Sequence, residues 1–502
     1  MRILVTGGTG VVGSGTVTEL LKRNHSIVLV SRHASEESRQ WPAGIEPCDV
    51  DVCDADALRA VGASCDLVLH IVGIVDEDPP EATFDRVNVQ GTRNMLALAE
   101  RQHIPRFIFV SSLGAPTGKS GYHRSKREAE TAVQRSSLDW TIVRPGNVYG
   151  PGDEQISILL RMVRGVSPLV PTVGDGRQEF QPVWWEDVAE ALANICERED
   201  LGGRALDLAG PEVTSQTDLL ERMSAITGRN VHTIPLPPSV AALGAKIVSS
   251  IGWDVPLSDD QVDMLNEGNV IAPGAHNSLP DFLDHAPTPI DEALRKLTAL
   301  QPEQLPTDGI GALKRKRFRA DIDNSASSAE QLFATFCKRF AELTPVFVEV
   351  GAEPSSGDEI AEGETLTLAL PMRGNVQVRV EELTPRSVTL ITLSGHPLAG
   401  AVRFLADQRG ACVRFQVEVY DRAANLLDLL AMRSLGDHLQ RHTWTKVVEN
   451  VIAASGGEAP AGVEQESASL SHDEAEHINT WLSDLTMKRK REENTERINE
   501  PV

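Results

Sequence analysis

Apolar runs recur through the first half of the chain at regular intervals. Residues 2–6 (RILVT), 26–30 (SIVLV), 66–73 (DLVLHIVG), 106–112 (RFIFVSS) and 139–145 (DWTIVRP) are largely apolar without alternation, as strands covered on both faces are. The intervening residues 11–23, 84–102 and 122–136 carry apolar positions at helical spacing. Strand and helix in turn predict an α/β fold built on a doubly wound parallel sheet. Past Tyr149-Gly150-Pro151-Gly152-Asp153 the rhythm loosens into short segments, residues 187–197, 218–227 and 260–268. A small, mostly helical lobe is therefore expected over about residues 151–300, completing a first domain of residues 1–300.

The second half has a different period. Leu366, Leu368 and Leu370, then Val376, Val378 and Val380, then Val413, Phe415, Val417 and Val419 sit at every second position, the mark of antiparallel strands with one face buried. A helix with Phe333, Phe336 and Phe340 on one face precedes them, and a helix over residues 426–453 offers Trp444, Val447, Val448 and Val451 behind them. One helix, about six strands and a long closing helix predict an α+β domain over residues 329–456 whose curved sheet grips the last helix. Residues 301–328 read as a linker. There Pro302, Pro306, Gly309 and Gly311 precede the run Lys314-Arg315-Lys316-Arg317-Phe318-Arg319, which reads as a solvated connector. Residues 457–502 are polar and read as a disordered tail, apart from a charged helix over residues 471–485.

The first strand–helix–strand unit carries the strongest chemical signal. Between strand and helix, two glycine spacings are met at once, Gly8-x-Gly10-x-x-Gly13 and Gly7-x-x-Gly10-x-x-Gly13. In that position the first glycine allows a tight turn and the middle one lets backbone N–H groups approach a pyrophosphate at the helix N-terminus. The last lets helix and strand pack closely. Residues 7–13, with Thr9, Val11 and Val12 among them, are thus the candidate cofactor loop of a Rossmann fold. At the end of the second strand stand Ser31, Arg32 and His33, with no acid before Glu36. An acid there would accept from a ribose 2′-OH, whereas Arg32 suits a 2′-phosphate, so NADP(H) is favoured over NAD(H).

Candidate chemistry lies at the later strand ends. Tyr122 and Lys126 are four apart at the start of a helix and share a face. An ammonium near a phenol favours the phenolate, and the pair is expected to act as a general acid–base with Ser112 orienting the same substrate oxygen. Composition narrows the class further. With 48 Lys and Arg against 72 Asp and Glu the net charge is −24, which argues against general affinity for nucleic acid. The six cysteines form no C-x-x-C pair and read as a reduced intracellular set. The first strand starts at residue 2, where a targeting peptide is not expected, and no apolar run has the ~18–20 residues of a membrane span. The location expected is cytoplasmic, with no integral membrane segment, and no metal-ligand spacing is present.

The glycine loop, Asp51-Val52, Asn88-Val89-Gln90-Gly91-Thr92, Ser111-Ser112, Tyr122-x-x-x-Lys126 and Arg144-Pro145-Gly146 fall in the order seen in extended or atypical short-chain dehydrogenases/reductases, which this chain resembles over about residues 1–300. More narrowly, RFIFVSSLGA, YHRSKREAE, RPGNVYGPGD and QPVWWEDVAEAL resemble the branch that includes the NADPH-binding accessory subunit of respiratory complex I. The resemblance implies that Asp51 and Val52 flank the adenine, that His70 to Gly73, with Val72 among them, pass beside the cofactor, that Pro145 is a further cofactor-binding residue, and that Asn88 supports the active-site backbone. It also makes Ser112, Tyr122 and Lys126 the catalytic trio, with Lys126 holding the nicotinamide ribose. The nine residues between Ser112 and Tyr122 are fewer than sugar-nucleotide members carry.

In the lobe, Asp187 reads as the cap of a helix and Trp184 or Trp185 as core filling, with a substrate wall as the alternative. The second domain resembles an uncharacterised family of the lipid-transfer-like, helix-grip superfamily through residues 395–400 (GHPLAG) and FQVEVYDRAANLLDLLAMR, with His396 reading as a turn residue. That resemblance implies a cavity for an apolar ligand. The whole chain is expected to be an NAD(P)(H)-dependent oxidoreductase or epimerase-like protein acting on a small-molecule substrate. A non-catalytic NADPH-binding scaffold or redox sensor is the competing class, and carriage of an apolar ligand in the second domain is a third.

Overall fold

The computed structural model describes residues 1–237, 267–345, 348–354, 356–371, 373–431 and 437–500. Six strands, β1 (Arg2–Thr6), β2 (Ser26–Ser31), β3 (Ile45–Asp49), β4 (Leu67–His70), β5 (Arg106–Val110) and β6 (Asp139–Pro145), join a seventh, Arg204–Leu208, in one parallel sheet. The spatial order is Arg204–Leu208, β6, β5, β4, β1, β2, β3. β1 pairs with β2 on one side (Arg2 opposite Ser26) and with β4 on the other (Ile3 opposite Leu67). The chain therefore winds outward in both directions from β1, leaving a crevice at the carboxyl ends of β1 and β4. Alternate residues of each strand feed two cores. Ile3, Val5, Ile27 and Leu29 pack with Val17, Leu20 and Val188 on one face, while Leu4, Val28 and Val30 pack with Met95, Leu98 and Phe107 on the other.

Two strands of this sheet break the apolar pattern. β3 reads IEPCD and sits at the sheet edge, where a proline costs no ladder bond on its free side. Arg204–Leu208 (RALDL) is the opposite edge. The lobe is built from helices Ile156–Arg164, Gln216–Thr227 and Ile290–Ala299 with a short parallel pair, Leu169–Val173 and His232–Leu236. The helix expected at residues 260–268 falls, at residues 260–266, outside the described residues. Helix Trp185–Glu197 starts two residues before the expected point, so Asp187 is not its cap. Its buried carboxylate instead accepts from the backbone N–H and hydroxyl of Thr288, both at 2.7 Å. Trp184 is fully buried beside Tyr149, and Trp185 shares that core.

The C-terminal domain is an eight-stranded sheet whose pairings are all antiparallel. Its order departs from expectation in two places. Residues expected as linker form strand Ile310–Ile322, which pairs with Cys412–Ala423. The basic run alternates along it: Lys316 and Phe318 turn inward and are buried, while Arg315, Arg317 and Arg319 pair with Glu466, Glu418 and Glu464. Residues expected as a disordered tail form strand Glu464–Ser469, beside Ile310–Ile322, and helix His472–Asn499. Ser471 and Glu474 close a capping box at its start. The inner face of the sheet holds Phe333, Phe336, Phe340, Phe404 and Phe415, and helix Asp437–Ser455 lays Val447, Val448 and Val451 on it.

The terminal helix lays Ala475, Ile478, Trp481 and Leu482 against Leu313, Tyr420, Ile391 and Ala401, and its later turns pair with charges on both domains. Arg489 bonds Glu381 (2.9 Å) and Glu303 (2.5 Å), and Lys490 bonds Glu303 (2.8 Å). Farther along, Asn494 donates to the Gln40 carbonyl and accepts from Thr18 on the first helix, Val11–Lys22. Despite its burial, Glu303 is held far below the usual carboxylate range by Lys490, Arg379 and Arg489. A second junction is Arg164, buried at the end of its lobe helix. It forks onto Glu353 (2.8 and 2.6 Å) and also donates to Gln377 and to the Thr298 carbonyl. Arg164→Ala leaves the Glu353 carboxylate buried without that partner and is expected to cost ~3–5 kcal/mol. Urea unfolding followed by tryptophan fluorescence reads this loss, and Arg164→Lys, which lacks the planar fork, restores only part of it.

Candidate functional site

The crevice at the carboxyl ends of β1 and β4 is a cleft of about 740 Å³ that runs from the glycine loop to the start of helix Gly121–Arg135. Gly7 turns the chain with φ +68, a region that penalises a Cβ. A Cβ on Gly13 would stand 2.0 Å from the Gly7 carbonyl oxygen, so only glycine lets the loop fold onto the helix start. Gly8 lies beneath, against Leu29 and Val17, and does not reach the cleft. Gly10 differs from both: a Cβ there would meet only the Gly7 oxygen, at 3.7 Å. Thr9, Gly10, Val11, Val12 and Gly13 line the cleft where the N-terminus of helix Val11–Lys22 opens. This cradle fits a pyrophosphate, which needs close backbone approach and the positive end of a helix.

At one end the wall is made by Ser31, Arg32, His33, Asp51 and Val52. Arg32 is exposed on this wall. Glu37, which sequence reasoning passed over, also lines the cleft and accepts a 2.6 Å bond from the Ser31 hydroxyl. An acid therefore shares this wall with Arg32, brought back by the short helix Ala34–Glu37. Asp51 accepts from the Cys53 N–H, and the Val52 carbonyl is held by Asn94.

At the other end Ser112, Tyr122, Lys126 and Pro145 line the cleft together with Val72 and Gly73. Lys126 is buried, donates to the Val110 carbonyl (3.1 Å), and lies so close to Gly73 that a Cβ there would be 2.5 Å from its Nζ. Burial lowers its pKa to about 8, against the raising effect of Glu130. Burial pushes Tyr122 up to about 12, with Ser112 as the neighbour that lowers it. Here the structure corrects the expectation from spacing: desolvation of the phenolate outweighs any help from the ammonium, and Tyr122 is a protonated phenol at neutral pH.

Two predicted residues lie behind the cleft wall. Asn88, in a π-helical turn (Asp85–Gln90), accepts from the Ile74 N–H (2.9 Å) and donates to the Ile74 carbonyl and the Ser125 hydroxyl. His70 is fully buried between Thr6 (2.7 Å) and Thr92 (3.1 Å), and burial lowers its pKa to about 3, leaving it a neutral bridge in the core. Sequence reasoning also missed His123, which lines the cleft beside Tyr122 and bonds Glu267 (2.6 Å) from the lobe. Only the fold brings residue 267 to residue 123.

Fold and cleft together define a nicotinamide-dinucleotide-binding Rossmann protein. Residues 3–209 match the NAD dependent epimerase/dehydratase family, and they form a domain of that family. The chain is 27% identical over 288 residues to the mitochondrial NADH dehydrogenase (ubiquinone) 1 alpha subcomplex subunit 9 of Arabidopsis thaliana, covering 54% of this chain and 71% of that one. It is 28% identical over 247 residues to the ceramide reductase of Caulobacter vibrioides, covering 49% and 77%. The NADPH complex of an NADPH-dependent quinone oxidoreductase from Escherichia coli aligns with a TM-score of 0.50 at 20% identity, over 59% of this chain and 99% of that one, and shares the fold. Among the described residues no helix is long and apolar enough to cross a membrane.

Gly13→Ala pushes a methyl group against the Gly7 oxygen and is expected to weaken NADPH binding at least about tenfold. Calorimetric titration measures it, and unchanged affinity would remove the loop from the cofactor site.

Proposed function

We propose that the N-terminal domain is a cytoplasmic oxidoreductase that uses NADP(H), with NAD(H) also accommodated, to interconvert a carbonyl and an alcohol on a small molecule. The observation that carries this reading is the convergence of Ser112, Tyr122 and Lys126 on the same cleft as the glycine loop. A bound nicotinamide supplies the hydride. Ser112 hydrogen-bonds the substrate oxygen and orients it. Tyr122, protonated at neutral pH, donates its proton to that oxygen as the carbonyl carbon is reduced. Lys126 stabilises the phenolate left behind, and Asn88 holds the backbone at Ile74 against movement. Arg32 on the nucleoside wall favours a 2′-phosphate, while Glu37 is engaged with Ser31. The ceramide reductase relative supports a reductase; epimerisation or dehydration would instead begin with the reverse step, in which hydride leaves a substrate alcohol for the oxidised nicotinamide and the hydroxyl proton passes to the Tyr122 oxygen.

A second reading draws on the accessory-subunit relative and on the high pKa of Tyr122: the dinucleotide stabilises the fold by linkage and the protein serves as a scaffold. A third concerns the C-terminal domain, where a cavity of about 410 Å³ with mostly apolar walls supports carriage of an apolar ligand.

The deciding experiment follows NADPH absorbance with a panel of carbonyl substrates. Wild type is expected to oxidise NADPH, and Tyr122→Phe to lose at least about 100-fold in kcat while still binding NADPH. Tight binding by both without turnover would favour the scaffold. A pH profile tests the proton assignments. In the reduction direction kcat/KM is expected to hold through neutrality, where Tyr122 keeps its proton, and to fall above about pH 8 as Lys126 loses its charge. Lys126→Arg should move that fall to higher pH.

A further inference from the structure

The two ends of the N-terminal cleft differ in charge. At the nucleoside end Arg32 and Arg86 share the wall with Glu37 and Asp51, Arg86 lying beside Cys53, whose thiol donates to its carbonyl. Two segments wall the catalytic end. Residues 74–84 pack beside Tyr122 through Phe84, at 6.2 Å between ring centroids. Residues 153–155 are tied to the end of β6 by Asn147, which donates to Gln155 at 2.7 Å. Among the described residues lining this end the only Lys or Arg is Lys126, which is buried and donates to the Val110 carbonyl. The carboxylates there are Glu81, Asp153 and Glu154.

Anions are held by guanidinium or ammonium groups, or by N–H groups at a helix start. Two helices begin at this end, and carboxylates of the chain itself already fill both starts. Asp153 Oδ1 accepts from the N–H groups of Gln155 (2.9 Å), Ile156 (2.6 Å) and Ser157 (3.2 Å) at the head of helix Ile156–Arg164. Glu267 Oε1 accepts from those of Lys119 and Ser120, both at 2.5 Å, just ahead of helix Gly121–Arg135, and its other oxygen bonds His123. Any charge His123 takes up is therefore matched. The Glu154 pKa is raised first by desolvation and then by the negative charges of Asp76 and Asp153, against Arg161, which does not line the cleft and donates to Ser394 of the C-terminal domain. Residues 238–266, outside the described ones, hold four aspartates and one lysine.

We propose that the substrate reduced in this cleft is an uncharged carbonyl compound, carrying neither phosphate nor carboxylate. An anionic group would lose water beside Glu81 and Glu154, with no free cation and no open helix start among the described lining residues to receive it. An uncharged molecule meets Ile74, Val75 and Val148 with its apolar parts and the amides of Asn147 and Gln155 with its polar ones. Hydride passes from NADPH to the carbonyl carbon and the Tyr122 proton to its oxygen, giving the alcohol and NADP⁺. The substrate class rests on the oxidoreductase reading given above and narrows it.

The test compares methyl 6-oxohexanoate with 6-oxohexanoate, aldehydes of one chain length that differ in a single remote charge. With saturating NADPH the ester is expected to show a kcat/KM at least about tenfold above that of the acid. Glu81→Gln/Glu154→Gln removes two wall charges and should narrow that ratio several-fold. Equal values for the two aldehydes, a preference for the acid, or a ratio unchanged in the double variant would overturn the assignment. Calorimetric titration of Tyr122→Phe loaded with NADPH reads the same property without turnover: the ester is expected to bind tighter than the acid, and UDP-glucose, an anionic nucleotide sugar, not to bind. Binding of UDP-glucose, or tighter binding of the acid, would overturn the uncharged class. Absence of NADPH oxidation with both aldehydes counts against the oxidoreductase reading instead, and the titration then decides the charge of the ligand by itself.

Discussion

The carbon that Gly13 lacks decides the N-terminal domain. A Cβ there would sit 2.0 Å from the Gly7 oxygen, so the loop between β1 and helix Val11–Lys22 closes only with glycine at that point. Once it closes, the helix start faces the crevice between β1 and β4, where the winding of the sheet reverses. Later strand ends then converge on the same crevice from the other side, bringing Ser112, Tyr122 and Lys126 within reach of whatever the loop holds. One steric requirement thus shapes both the glycine-loop cradle and the cleft onto which those side chains open.

Desolvation then sets the protonation of those side chains. Lys126 is lowered to about 8, Tyr122 raised to about 12 and His70 lowered to about 3, and in each case burial is the largest cause. The direction always favours the neutral form. His70 can therefore serve as a neutral hydrogen-bonding bridge between Thr6 and Thr92, and Tyr122 as an acid. Lys126 sits close enough to neutrality for its charge to matter to the pH response.

Opposite charges bind the two domains in a chain whose net charge is −24. Glu303 collects Arg379, Arg489 and Lys490, and Arg164 closes on Glu353. Removing Glu303 takes from buried Arg379 its carboxylate partner, and removing Arg164 takes from buried Glu353 its guanidinium, which makes these junctions sensitive to those single substitutions. The helix Ile156–Arg164 links the regions directly: Asp153, Glu154 and Gln155 at its start line the cofactor cleft, and Arg164 at its end is buried against the C-terminal sheet.

Local signals in the sequence determined a good deal. Apolar runs without alternation marked β1, β2, β4, β5 and β6, because a strand covered on both faces needs no polar side, and glycine spacing marked the loop that joins sheet to helix. Alternation marked the C-terminal sheet for the opposite reason. Edge strand β3, with its proline, escaped because an edge tolerates what a centre rejects. The strand Ile310–Ile322 read as a basic linker, and the helix His472–Asn499 as largely a disordered tail. Their charges are satisfied by Glu464, Glu466, Asp421, Glu303 and Glu381, residues far away along the chain. The sequence could likewise place Tyr122 and Lys126 one turn apart but not the sign of the tyrosine shift, nor Glu37 and His123 on the cleft wall. Periodicity and steric need are written in neighbouring residues, whereas burial and charge pairing exist only once distant segments have met.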